Sequence, residues 1–440
     1  MKILNKVLTT FFLLLPMVFI DIGDAKDFFI VITFFLIITQ SVLCTVWLSE
    51  DGGTLLKMYY SFSYIFFGLV PCLEYLNDVV YWGGGEIYPE TYALVNMVIF
   101  LANVVFYLCY RYFSTRKIIL SHRSNLNRHN YNVVYKIGII KIFIVAIISF
   151  ITFYYINNGS VISMLLRGGE LKESIDLDQW VSSILGTVSR FTPFLIFLLI
   201  IDDKRISLFL KSLLFIIAFV CASPFGMARF MVGLLYIPLM IKLVPSLRYG
   251  NKLPVTIMAS LGIVFPFLEN FRQFTSIENL SFLPKYDFFF SGHFDSYQSL
   301  ARVVQIDFVT YGYQLLGSIL FFVPRGLWQT KPIGSGAEVA NMLDYSFKNV
   351  SMNFYGEGYV NFGFIGVFLF ASIMAITFSQ IDKYFKEEKE KTKLLIYYVL
   401  LPFVYILMRG DLNVATSLLF SVVFSYFISC WAVKTKVGLS

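Results

Sequence analysis

Long apolar runs separated by short polar gaps make up most of this chain, and their length decides how they are read. Apolar windows fall at about 7–23, 27–48, 58–76, 91–113, 137–156, 181–201, 207–223, 228–244, 253–268, 360–381, 394–409 and 414–433. A helix needs about 20 residues to cross a ~30 Å hydrocarbon core, so each window predicts a membrane-spanning helix. The first run lies behind Lys2 and Lys6, no small-x-small cleavage site follows it, and a second run opens at Asp27. It reads as a retained span and not as a signal peptide. Runs seven and eight, at the short end of a crossing helix with about 17 residues each, are parted only by Ser223-Pro224-Phe225-Gly226, which leaves a re-entrant pair as the alternative. One insertion stands apart, from Glu269 to Tyr359, and within it Phe308 to Val323 is apolar but interrupted by Gly and Tyr. An interfacial or re-entrant helix fits that stretch. With no internal repeat or separable soluble domain, residues 1–440 read as one membrane unit and 269–359 as its large loop.

Charge orients the spans. Twelve crossings place both termini on one side, and the gaps on that side hold 22 Lys and Arg against 11 in the opposite gaps. The positive-inside rule makes the termini cytoplasmic and the large loop external. The chain is 58% hydrophobic, 18% aromatic and 14% charged, against about 25% charged in soluble proteins. Soluble enzymes and nucleic-acid binders are thereby excluded, and the +7 net charge is accounted for by orientation signals. All five cysteines lie in or beside apolar runs, so no disulfide framework or zinc site is implied.

Charges within membrane spans cost from ~2.5 to well over 10 kcal/mol, so charges in or next to spans count as functional candidates. Arginine repeats on the outer face: Arg167, Arg229, Arg272, Arg302, Arg325 and Arg409, with Arg190 inside the sixth run. Guanidinium keeps its charge and grips phosphate through paired N–H bonds, which fits an anionic-lipid or pyrophosphate site. Ion pairing or snorkelling to headgroups is the plainer use. Among the outer acids Glu357 stands out, in Tyr355-Gly356-Glu357-Gly358-Tyr359, where small neighbours allow close approach of a substrate to a general base. An ion pair with an arginine is its alternative use. His293 is the one histidine outside the cytoplasmic gaps and is a candidate proton relay. The segment from Pro324 to Pro332 sets Arg325, Trp328 and Lys331 in a proline-bounded loop, suited to sugar stacking beside cations or to interface anchoring. No P-loop, dinucleotide glycine pattern, HExxH or paired-carboxylate metal motif occurs, so neither a cofactor nor a metal is expected.

The ensemble resembles the bacterial O-antigen polymerases of the Wzy type. The resemblance rests on architecture along the whole chain and on three patterns: Ser223-Pro224-Phe225-Gly226 with Arg229-Phe230, the Pro-Arg-x-x-Trp-x-x-Lys-Pro run at 324–332, and Gly356-Glu357-x-Tyr359-x-Asn361-Phe362-Gly363 followed by Gly366. It implies an all-α polytopic fold of about 12 transmembrane helices with one large periplasmic loop, similar to the GT-C-like polymerase and ligase architecture. It further implies an inner-membrane glycosyltransferase that moves a growing polysaccharide from undecaprenyl pyrophosphate to a lipid-linked repeat unit. Membrane lipid and a chain-length-regulating co-polymerase are the other partners it implies. Where the related O-antigen ligases carry a His-Asn pair, this chain has Met352-Asn353. That leaves Glu357, or His293, as the base. Arg229, Arg272 and Arg325 are expected on the donor pyrophosphate. Arg302, Arg409, Arg167, His293, Trp328, Lys331, Tyr355 and Tyr359 are expected around the substrate. An O-antigen ligase or other lipid-linked glycan transferase and a repeat-unit flippase are the rival readings; a flippase is expected to show two related halves, which this sequence lacks.

Overall fold

Backbone in hydrocarbon has to satisfy its own N–H and C=O groups, which favours helices, and among the described residues the apolar runs predicted above are mainly helical. The structure, a computed structural model, describes residues 2–20, 26–49, 54–116, 135–165, 179–270, 289–386, 388 and 390–436. In chain order the helices are α1 Lys2–Val18, α2 Phe28–Val46, α3 Leu55–Phe62, α4 Val70–Leu76, α5 Pro89–Thr115, α6 Ile139–Ile156, α7 Val161–Leu165, α8 Gln179–Ile200, α9 Leu208–Cys221, α10 Arg229–Leu243 and α11 Lys252–Asn270. The insertion then contributes α12 Ser296–Gln305, α13 Tyr313–Ile319 and α14 Ser335–Met342, before α15 Phe354–Lys386, α16 Lys391–Arg409 and α17 Leu412–Val433. A π-helical turn, Ser63–Leu69, joins α3 to α4. The short strands β1 Tyr135–Ile137 and β2 Lys434–Lys436 pair antiparallel with Tyr135 opposite Lys436.

Among the described residues seven helices are long and apolar enough to cross a membrane: α2, α5, α6, α8, α15, α16 and α17. The chain is thus a helical, multi-pass membrane protein. Of the other runs, those on α9 and α10 form helices of 14 and 15 residues, or about 21–23 Å at 1.5 Å per residue.

Two apolar cores meet along α16. Its Tyr397, Leu401, Val404 and Met408 face a core built mainly from α2 to α5, α12 and α15, while Leu395, Val399, Phe403 and Ile406 face one built from α6, α8, α9, α10 and α17. Both sets recur at spacings of three to four, the period of a helix face. In the second core α8 lies against α17. Ser421, Ser425 and Ser429 are buried there, and their hydroxyls donate to carbonyls four residues back at 2.9, 2.7 and 2.7 Å. Small side chains with internally satisfied hydroxyls let the two helices approach closely.

Contacts between connecting segments sort them to two ends of the bundle. At one end Lys26 pairs with Asp78, Gln298 bonds Val79 and Tyr81, and Arg409 bonds the 292–295 turn. At the other, Leu55 N–H donates to Asp382 (3.0 Å), Lys57 Nζ bonds Gly250 and Asn251 (2.9 Å each), Lys434 pairs with Glu390 (2.7 Å), and β1 pairs with β2.

Helix α15 is broken in its third turn. Phe362 leaves helical geometry and Gly363 takes φ 60°, ψ −151°, a region open in practice to glycine alone. The break folds 354–361 back onto the helix beyond it. A Cβ on Gly366 would lie 1.9 Å from the Gly358 carbonyl oxygen, and one on Gly358 would lie 2.8 Å from that of Gly366. Gly363→Ala is therefore expected to destabilise by about 1–3 kcal/mol, with Gly366→Ala worse and Gly326→Ala, which meets nothing within 4 Å, neutral. Thermal unfolding of the detergent-solubilised protein checks this, and equal melting of all three variants would show that the break does not need its glycines.

Candidate functional site

The broken start of α15 is held by Asn353, whose Oδ1 accepts the Gly356 N–H (2.8 Å) while its Nδ2 donates to the Ser296 carbonyl and to Ser299 Oγ (3.2 Å). Asn353 thus caps one helix and fastens it to α12. One residue after Gly356, the Glu357 side chain is directed inward, 1% exposed. Its Oε2 accepts the Ser335 hydroxyl at 2.8 Å and its Oε1 accepts the Leu412 N–H at 2.9 Å. Next to it Asp411, also buried, accepts the N–H groups of Gly336 (3.3 Å) and Met352 through Oδ1. The two carboxylates therefore fasten the first residues of α14 and α17 to the segment that leads into α15.

Glycine makes this possible. A Cβ on Gly334 would sit 2.1 Å from Asp411 Oδ2, and one on Gly336 would sit 2.2 Å from the Val350 carbonyl oxygen. Only Gly-Ser-Gly brings the Ser335 hydroxyl and the Gly336 N–H to their acids.

A second layer surrounds the pair. Arg409 donates to the carbonyls of His293 (2.9 Å) and Gly292 (3.2 Å) and to Asp295 Oδ1 (3.2 Å), and the Trp82 indole N–H donates to Asp295 Oδ2 (3.4 Å). Glu74 accepts from Tyr81 Oη (2.9 Å) and Gln298 Nε2 (3.0 Å). Four buried acids, Glu74, Asp295, Asp411 and Glu357, thus lie in succession at one end of the bundle, each electrostatically coupled to the next. Burial pushes the carboxyls of Asp295 and Asp411 above the usual aspartate range; Arg409 offsets this at Asp295, and the Met352 and Gly336 N–H groups offset it at Asp411. Such a cluster can hold and release a proton under conditions where a free aspartate stays ionised.

The residues expected at the substrate divide sharply. Glu357 lies in the cluster, and Arg409 and His293 border it. Tyr355 does not: it is fully buried against Tyr59 and Asn103 and stacks on Phe67 at 5.5 Å, so it belongs to the bundle interior. Tyr359 is buried with its hydroxyl on Asp307 at 2.8 Å. Arg302 is 2% exposed and donates to the carbonyls of Gly84, Gly85 and Glu86, which are turned toward it by positive φ from Trp82 to Gly85. Three of its hydrogen bonds go to that loop, which Arg302 holds in place. Arg325 and Lys331 are likewise directed to carbonyls of their own loop, at 2.8 Å to Lys331 and 2.7 Å to Phe321. Trp328 stands edge-on to Tyr313 with ring centroids 6.0 Å apart. Arg229 opens α10, which packs on α8 and α16. Arg167 and Arg272 lie outside the described residues. Sequence reasoning missed Asp411 as the partner of Glu357, and Ser335 as its donor.

No known protein family, curated protein or solved structure matches this chain.

A carboxyl whose titration is raised by folding binds its proton more tightly folded than unfolded. Its stabilising contribution is complete below the ordinary aspartate range and fades as pH rises through the folded-state value. The protein is accordingly expected to melt at higher temperature in mild acid than near neutrality, and Asp411→Asn to reduce that slope. Melting temperatures of both proteins across this window are the check; an unchanged slope would remove Asp411 as a source of it.

Proposed function

We propose that this chain is an O-antigen polymerase of the Wzy type. In this reading it transfers a growing polysaccharide from undecaprenyl pyrophosphate onto the non-reducing end of a lipid-linked repeat unit, at the periplasmic face of the bacterial inner membrane. The observation that carries the reading is Glu357, a carboxylate held by Ser335 and Leu412 beside Asp411 at one end of a bundle of apolar helices. The sorting of connecting segments to two ends agrees with alternating crossings, and the Lys and Arg excess in the gaps beside the termini favours cytoplasmic termini, with the carboxylate end periplasmic.

The chemistry asks for few groups. The acceptor hydroxyl attacks the anomeric carbon of the donor, the bond from that carbon to the pyrophosphate oxygen breaks, and the hydroxyl proton passes to Glu357. The acceptor hydroxyl would take the place that the Ser335 hydroxyl holds on Oε2. Pyrophosphate leaves without a general acid, and what the transition state requires is neutralisation of the charge growing on it, a task for arginine. Arg229, Arg272 and Arg409 are our assignments; Arg409 pairs with Asp295 of the acid cluster at 3.2 Å. Direct displacement inverts the anomeric carbon. A co-polymerase that sets chain length is the expected protein partner.

The test is the lipopolysaccharide ladder of a strain lacking the gene, complemented with wild type, Glu357→Gln or Arg229→Ala. Loss of the gene is expected to leave lipid A-core with a single repeat unit, restored to a ladder by wild type alone. Glu357→Gln should slow polymerisation about a hundredfold or more, and Arg229→Ala a few hundredfold, equivalent to about 3–4 kcal/mol. Loss of every O-unit would point to a flippase or ligase instead. A variant that inserts normally and polymerises at the wild-type rate would remove its residue from the mechanism.

A further inference from the structure

Helix α13 is inside-out. Its buried residues are Gln314, Gly317 and Ser318, while Tyr313, Leu316 and Ile319 face outward. In water a helix buries its apolar face; the reverse arrangement is stable where the medium outside is itself apolar. The loop that follows has the same polarity. Arg325 and Lys331 turn toward the loop's own carbonyls, Tyr313 Oη donates to the Thr330 carbonyl, and Leu327 is left 83% exposed at the tip. Lys331 and the backbone carbonyls are satisfied from within, apolar side chains lie outside, and the exposed Arg325 bonds carbonyls of its own loop, the pattern of a segment at the edge of the hydrocarbon. Just before α13, Tyr311 is 88% exposed, and Trp328 and Tyr313 supply the amphipathic rings found where acyl chains meet headgroups.

This surface continues into the apolar exterior of the long helices. The Phe321 ring lies 5.9 Å from that of Phe420 on α17, which is itself exposed, and α13 packs on both α15 and α17. We propose that residues 311–328 form a lipid-immersed platform at the Glu357 end of the bundle, with phospholipid, and neither water nor a protein partner, against Leu316, Ile319, Phe322 and Leu327. Hydrogen bonds tie this platform to the carboxylate site: Leu315 N–H donates to Asn361 Oδ1 at 2.7 Å, and Asn361 Nδ2 donates to the Glu357 carbonyl at 2.8 Å. The site therefore borders the bilayer sideways. That a substrate with a polyprenyl tail uses this side rests on the function proposed above; the platform itself does not.

Spin labels at Ile319→Cys and Leu327→Cys, in the protein reconstituted into phosphatidylglycerol–phosphatidylethanolamine nanodiscs, provide the test. Collision with oxygen, which concentrates in lipid, is compared with collision with a water-soluble nickel chelate. Phe427→Cys on the exposed face of α17 gives the lipid reference, and Asp344→Cys, whose side chain is fully exposed, gives the aqueous one. Both platform labels are expected to match Phe427→Cys, with oxygen the stronger relaxant. A match to Asp344→Cys would overturn the platform, as would labels immobilised and shielded from both reagents, which would mean that protein covers the face. None of these outcomes depends on enzymatic activity.

Discussion

Three helix starts are held together by two buried carboxylates, and the end of the bundle they occupy depends on that arrangement. Helix N-termini carry unsatisfied N–H groups and partial positive charge. Glu357 and Asp411 answer them directly, at Leu412 and at Gly336 and Met352. Burial at this junction also raises the cost of ionising Asp411. The same pair thus fixes architecture and stores a protonation equilibrium. Structural and chemical uses of these acids need not be alternatives: Ser335 occupies the oxygen from which a base would act, and giving it up would loosen α14.

The cations follow a different logic. Arg302, Arg325, Lys331 and Arg409 all spend N–H groups on backbone carbonyls in loops. A loop near a membrane has many carbonyls and little water to solvate them, so a guanidinium with five donors is an effective organiser of irregular backbone. Arginine abundance at the carboxylate end therefore reflects first the construction of the loops, and only Arg409 among these four also meets a carboxylate of the acid cluster.

The helices were legible in the sequence because each apolar run is long enough to carry its own signal. The interruption near 308–323 was also visible, as Gly and Tyr breaking an apolar stretch. The site was legible only at Glu357, where Gly on both sides marks close approach. Asp411 was not, since a single acid between two apolar runs looks like any short connection, and nothing local points to its contacts 59 and 75 residues away. Arg302 shows the same limit: sequence displays the charge but not the carbonyls that accept its N–H groups, which lie 216 to 218 residues distant. Tyr355 and Tyr359 flank Glu357 symmetrically in sequence, yet a helical turn sends one into the bundle interior and the other to Asp307.

The contact between Gly358 and Gly366 has a consequence for how this sequence can vary. Where two side chains meet, enlargement of one can be matched by reduction of the other, and the pair can drift together while the volume between them is kept. Here backbone meets backbone, and neither residue has any volume to give up. The two positions cannot compensate for each other, so each is closed to change on its own account, and no second substitution at its partner can reopen it.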